Sequence, residues 1–544
     1  MAMQSFSCRY AILCAVFVPI SLSLLFIGCH STYHKAKADQ EVYSLIHGKS
    51  RGIEGMPSWF GIEHTESPYW TSGIGDATQV LSLNDAITTA VENSRDYKSR
   101  GEILYSQGLN LSSARHEFEP QYFGTGEADL INDDANKTLS GYLSLGMNRM
   151  LETGTDVSVG LTSNLFRIIS GDDPARILAS AFSASVAHPL IRGAGRNIVM
   201  ENLTQEERDM VYAIRDFVRF RKEFTVGVAQ SYYSLLNRMD RVRNAERNYL
   251  RLSELRKEIE ARYQAGWIAP FEVDQALQQE FSGRVGLIQE VTGYENALDG
   301  FKMLLGIPIE TVVRPDADAL VLLVERGVAS NPISEEEAVF AALDNRLDLK
   351  NSYGRLEDAK RRVAVSEDAL KPLLDLVFSY QADSDGRTET FDFRDGDKLY
   401  QIGVDLDLPL DTKIQRNVFR QSIVNVAAAQ RGFLEASEGV KQEVRVILRR
   451  LKEAEENYNI QRISLRLAEN RSKREPDLLK AGWAGVTVRD VLDAQDALLR
   501  EQNALTQVLV DHFNTTLDLY LAMETLKVRD DGLWADDLVA VSQN

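Results

Sequence analysis

Few side chains in this chain have both the type and the spacing that chemistry requires. Its cysteines are Cys8, Cys14 and Cys29, all near the N-terminus. The rest of the chain therefore offers no thiolate nucleophile, no thiolate metal site and no disulfide. The histidines, His30, His34, His47, His64, His116, His188 and His512, follow no ligand spacing, so neither a metal nor another cofactor is expected. The run Arg192-Gly193-Ala194-Gly195-Arg196 has glycines of the kind that cradle phosphate. It lacks a third glycine in register and a parallel βαβ setting, so a strand-to-helix turn is expected there. No serine sits in a nucleophile elbow, and no catalytic residue is expected. Asp490 and Asp493 are two acidic residues spaced by three. A spacing of three puts both on one helix face, and crowded carboxylates attract cations and raise each other's pKa. A local alternative stands beside this. Thr487 and Asp490 have capping-box spacing, and acidic residues suit a helix N-terminus.

Cys29 is read through its neighbours. Arg9 precedes an almost wholly apolar stretch, Ala11 to Ile27, broken by Pro19. Leu25-Phe26-Ile27-Gly28-Cys29 then resembles a bacterial lipobox, in which cleavage precedes a cysteine that becomes lipidated. Phe26 stands where leucine is usual. Residues 1–28 are thus expected to be a lipoprotein signal peptide and Cys29 the lipidated first residue of the mature chain, with an irregular periplasmic segment over 29–80. His30 follows it, not the aspartate that commonly retains lipoproteins at the inner membrane. The alternatives are an ordinary signal peptide or an uncleaved anchor.

The elements that must position these residues begin with composition. The chain has 544 residues, a hydrophobic content of 44% and a formal net charge of −19. Such acidity argues against nucleic acid as a partner. A repeat organises the chain. Ala265-Gly266-Trp267 recurs as Ala481-Gly482-Trp483, each after a long helical stretch. Val91-Glu92-Asn93-Ser94-Arg95 parallels Leu343-Asp344-Asn345-Arg346-Leu347. Glu119-Pro120 parallels Lys371-Pro372, and His188-Pro189-Leu190 parallels Leu408-Pro409-Leu410. The landmarks keep their order, as in a duplicated half: repeat 1 over 81–313, a linker over 314–333 with Pro315 and Pro332, repeat 2 over 334–527, and an acidic tail over 528–544.

No proline lies between Pro189 and Pro270, or between Pro409 and Pro476. In the first window apolar residues recur in threes and fours, from Phe224 and Val228 through Leu235, Val242 and Leu252 to Ile259. Val440, Val444, Ile447 and Leu451 repeat this in the second. Such spacing marks a coiled-coil seam. A helix of about 65 residues is roughly 100 Å long, which suits a tube better than a globule. Shorter helices are expected over Asn84–Phe118 and Phe271–Leu305, the latter closed by Gly306. Strands are expected between short and long helices. Tyr400, Ile402, Val404, Leu406 and Leu408 alternate with polar or small residues, and Leu374–Tyr380 is the natural partner. Tyr122–Leu130 and Leu178–His188 are the equivalents in the first half. That half also holds an extra hairpin, Leu139–Asn148 with Thr155–Ser163, which adds to the sheet or folds outside it.

Duplicated halves of this order resemble the TolC-like family of outer-membrane efflux proteins, over roughly residues 81 to 526. The resemblance implies an α+β membrane protein. Long antiparallel helical hairpins would form a periplasmic tunnel, and each protomer of a homotrimer would give four strands to a shared transmembrane β-barrel of about twelve. It implies a passive duct in the outer-membrane lipid, joined through a periplasmic adaptor (membrane fusion) protein to an inner-membrane pump of RND or ABC type. It implies that Asp490 and Asp493 form carboxylate rings at the pore constriction. Glu272 matches an acidic position of the closed-state latch. Leu479 and Ala484 replace the usual partners, leaving Arg489 as the candidate. Gly266, Trp267, Gly482 and Trp483 would be adaptor-docking tips; for the tryptophans a packed helix–helix turn is the alternative. A second function class is a periplasmic coiled-coil scaffold or adaptor without a membrane barrel.

Overall fold

The computed structural model describes residues 31–62, 79–132, 137–170, 176–328, 333–384, 391, 393, 396–483 and 485–534. The expected signal peptide, Cys29, Pro332, Ala484 and the end of the acidic tail lie outside them. Two compact units are present: one of Met1–Gly52, Leu104–Val211 and Arg362–Phe419, the other of Ile53–Ile103, Tyr212–Arg361 and Arg420–Asn544.

Helix α1, Ser31–Ser50, opens the described chain. The first half continues with β1 (Gln79–Leu81), α2 (Leu83–Asn93), α3 (Arg95–His116), β2 (Gln121–Asn132), β3 (Lys137–Met150), β4 (Asp156–Ser170), β5 (Arg176–Pro189), the short α4 (Arg196–Val199), α5 (Glu201–Gln264) and α6 (Pro270–Leu305). After β6 (Val313–Pro315) and α7 (Asp318–Arg326) come α8 (Glu335–Asn345), α9 (Leu347–Asp368), β7 (Leu373–Asp383), β8 (Lys398–Asp407), α10 (Lys413–Lys480) and α11 (Val488–Ala522).

The long helices have 64 and 68 residues, about 96 and 102 Å of α-helix. Pro476 lies inside α10, so the helix runs past the residue that bounded the proline-free window. The short helices after the turns have 36 and 35 residues. The helix expected over Asn84–Phe118 is instead two helices. Ser94 leaves the helical region at ψ 130°, and Gly306 lies close against the break: a Cβ there would sit 2.3 Å from the Asn93 carbonyl oxygen. Arg346 makes the same break at ψ 121°. Either side of it, the two halves match, with helices of 11 and 22 residues in each. Both pairs open on a capping box, Ser82 with Asp85 and Ser334 with Glu337.

One further expectation is corrected. The segment after Cys29 is not irregular: α1 buries Val42, Leu45 and Ile46. Its Val42 fills the space left by Gly108 of α3, and Asp39 accepts a 2.5 Å hydrogen bond from the Tyr105 hydroxyl. The expected linker carries elements of its own: β6 pairs in parallel with β1 and α7 buries Leu320 and Leu323. The sheet has six antiparallel strands in the order β2-β3-β4-β5-β7-β8, the four expected and the two of the extra hairpin, whose place the sequence left open. The extra hairpin lies within it, because β3 and β4 alternate side chains in register with their neighbours.

The second unit is a helical core. Val228, Tyr232, Leu235 and Leu236 of α5 are almost inaccessible and pack with Phe301 and Leu305 of α6, Leu320 of α7 and Val510 and Leu517 of α11. Burial of one such side chain stabilises by about 1.5–3 kcal/mol. Arg221 is also buried there. It donates to the Tyr97 hydroxyl at 3.1 Å and to the carbonyls of Gly55 and Arg529. The tail therefore begins docked on α5, where Thr225 also donates to the Gly532 carbonyl.

Candidate functional site

The sheet has two unlike faces. Adjacent side chains along a strand point to opposite sides, and cross-strand partners share a side. One row runs Gln121, Asn148, Ser158, Ser185, Ser379, Gln401 across all six strands. The next row, on the other face, runs Tyr122, Met147, Val159, Ala184, Tyr380, Tyr400. Beyond it the alternation continues: Phe378 pairs with Ile402 and Leu376 with Val404 on the apolar side. Many of these apolar side chains are exposed, Tyr400, Ile402 and Val404 among them. The polar face carries Glu127, Asp129, Asp156, Asp375, Asp383, Asp405 and Asp407, and no lysine or arginine among the described strand residues. Asp375 and Asp405 are direct cross-strand partners. Single-strand alternation foretells the two faces, but the concentration of carboxylates emerges only once the register is known.

The glycine run after β5 is used up in local contacts. The Gly193 amide donates to Asp368 at 2.7 Å. Arg196 pairs with Glu152 at 3.0 Å, and Arg192 lies 3.7 Å from Asp407. It is the expected strand-to-helix turn.

The helix–helix turns share one geometry. Gly266 and Gly482 have φ +76° and +66°, left-handed values that glycine adopts without steric cost. Trp267 then donates its amide to the Arg262 carbonyl, and Trp483 to that of Leu478, closing each helix as a Schellman motif. Both indoles are open to solvent, 75% for Trp267 and 65% for Trp483, so the packed alternative does not hold within the chain. The first turn spans 265–269 and the second 481–487. The second contains one more left-handed residue, Gly485 at φ +114°. The two turns rest on a common cluster of Leu252, Ile259, Ala276, Val488 and Val491, and Arg262 donates to the Leu479 carbonyl at 3.0 Å.

The acidic pair lies in the opening turns of α11. Asp490 caps that helix. Its carboxylate accepts from the Thr487 hydroxyl at 2.7 Å and the Thr487 amide at 2.9 Å. These bonds, the hydroxyl first, hold it below the usual carboxylate range. Within one chain the capping effect thus runs opposite to the expected like-charge rise. Asp493 is exposed, 4.0 Å from Arg489 one turn earlier. Arg471 of α10 is the neighbour that spacing could not reveal. Its guanidinium is held charged by Glu475 first, with Asp490 and Asp493 contributing. Glu272 turns back on its own helix start and accepts from the Ala269 amide at 3.2 Å. Among the described residues no ion pair joins Glu272 to Arg489.

No protein-family model and no curated protein sequence matches the chain. Solved structures do. The outer membrane protein VceC of Vibrio cholerae is similar at TM-score 0.61 and 14% identity, over 81% of this chain and 95% of that one. The CmeC outer membrane channel of Campylobacter jejuni gives 0.59 and 15%, over 89% and 96%. CusC, described in connection with transmembrane channel formation, gives 0.60 and 14%, over 86% and 99%. The likeness spans most of this chain and nearly the whole of each of those: this chain has the fold of the TolC-like outer-membrane channels.

Proposed function

We propose that the protein is the outer-membrane exit duct of an export system, a passive homotrimeric channel that catalyses no reaction. The observation that carries this is the sheet with one apolar and one polar, acidic face. Its strands have 10 to 15 residues, and about 9–11 suffice to cross a membrane. Such a wall puts lipid on one side and water on the other. A periplasmic scaffold has no use for it.

Assembly is supported by apolar stripes left open on the helices. Phe281, Val285 and Ile288 on α6, and Ile460, Ile463 and Leu467 on α10, are exposed at helical spacing. A stripe of this kind is buried against another helix in a stable protein, and a neighbouring copy supplies one. The paired helix lengths and matching capping boxes support an internal duplication. In the trimer the α5–α6 and α10–α11 hairpins line a periplasmic tunnel, and Asp490 and Asp493 stand at its constriction. Glu272 and Arg489 are the latch candidates, acting between copies. The exposed Trp267 and Trp483, each beside its left-handed glycine, dock the periplasmic adaptor, which links the duct to an inner-membrane RND or ABC pump. Cys29 supplies a lipid anchor, and mass spectrometry of the mature N-terminus tests that point.

Fractionation tests the function. The protein is expected in the outer membrane as a trimer that migrates as a monomer only after heating. A soluble monomer overturns the duct and leaves the scaffold. In single-channel recording, Asp490→Asn with Asp493→Asn is expected to weaken block by divalent cations. Unchanged block places the pair outside the constriction.

A further inference from the structure

We propose that three copies of this chain close an eighteen-stranded barrel, β8 of each copy pairing with β2 of the next, around a wide, acidic, water-filled bore. The inference rests on the trimeric channel reading and decides the place of the extra hairpin left open beside the four expected strands.

The hairpin of β3 and β4 is not an appendage. Its strands are internal to the sheet, paired on both sides, with 14 and 15 residues. Both the polar row and the apolar row pass through them without interruption, by way of Asn148 and Ser158 on one face and Met147 and Val159 on the other. Its turn is also anchored. Gly154 packs against the Gly193 carbonyl, where a Cβ would approach to 2.8 Å, and the Thr155 hydroxyl bonds His188 at 2.8 Å. A hairpin folded against the outside of a barrel would have to break these rows and expose its polar side to lipid.

Six strands cannot close on themselves, since the smallest membrane barrels have about eight. The edges β2 and β8 therefore keep unpaired backbone groups, which hydrocarbon does not tolerate. The strands alternate in direction along the sheet, so β8 meets the β2 of a second copy antiparallel. That pairing carries the two-faced pattern around the ring. With strands about 4.8 Å apart and tilted about 40°, eighteen strands give a backbone cylinder about 36 Å across, against about 24 Å for twelve. Barrels of that larger size hold an aqueous channel. The inner wall then carries the carboxylates of the polar face, so the bore favours cationic and neutral hydrophilic solutes over anions.

The decisive experiment is electron cryomicroscopy of the full-length protein purified from the outer membrane, with the strands counted in projection down the barrel. Eighteen strands from three copies are expected. A trimer with twelve, and with β3 and β4 outside the wall, overturns this inference while leaving the channel intact. Two copies sharing twelve strands overturns it and the trimer together. No transmembrane barrel at all is the failure of the channel reading itself.

Discussion

The two halves of the chain agree in their helices and disagree in their strands. Each half has helices of 11 and 22 residues before the sheet, a long helix after it, and a turn closed by a left-handed glycine and an exposed tryptophan. The first half then contributes four strands to the sheet and the second contributes two. The difference separates two kinds of constraint. Helices packed along their lengths cannot gain a residue without rotating every later side chain by about 100°. An antiparallel sheet can gain a hairpin without reversing either flanking strand, because the hairpin leaves and returns at one end. The sheet is where such a fold can change width while its helices stay fixed.

The long helices differ as well. Within one chain, α5 is the centre of the core, whereas α10 shows solvent a row of large apolar residues. Five mutational tests probe these contrasts. Val228→Asp on α5 places a charge at a position with no solvent access. It is expected to cost roughly 3–5 kcal/mol or more and to prevent a cooperative thermal transition in circular dichroism. Leu467→Asp on α10, 63% exposed in the chain, is expected to leave helical content nearly unchanged and abolish the trimer on native electrophoresis. An intact trimer would show that this stripe does not meet another copy.

Gly306→Ala probes the break shared by the helix pairs. Its φ of +74° and the approach to Asn93 put the expected loss at about 1–3 kcal/mol, read as a lowered midpoint of thermal unfolding. Ser82→Ala and Ser334→Ala remove equivalent caps, each accepting from the third helical amide at 3.2 Å. Each is expected to cost about 1 kcal/mol, and near equality is the point. A clear inequality would mean that the matched lengths conceal unlike supports. Asp375→Asn with Asp405→Asn is expected to leave the melting temperature within error. It should move the reversal potential in a salt gradient toward zero by weakening cation preference.

Much of this was legible before any coordinates. Proline-free windows bounded both long helices, because a proline inside a helix is costly, although α10 accommodates Pro476. Strict alternation located the strands, and the glycine–tryptophan pairs located both turns. What was hidden depends on contacts distant in sequence. The close approach of Gly306 to the break at Ser94 joins residues more than two hundred positions apart. Helix α1 packs Val42 against Gly108 of α3 and bonds Asp39 to Tyr105, contacts that its own sequence does not announce. The hairpin's place in the sheet follows from register, which alternation within one strand does not fix. At the acidic pair, spacing foresaw the shared turns and the capping box with Thr487. It could not foresee Arg471, which belongs to another helix.

The central claim is that the two-faced sheet is the wall of a pore. Recording from the purified trimer in planar lipid bilayers tests it most directly. Discrete, stepwise conductances that favour cations are expected. A folded trimer that inserts into the bilayer yet conducts no ions would contradict the account.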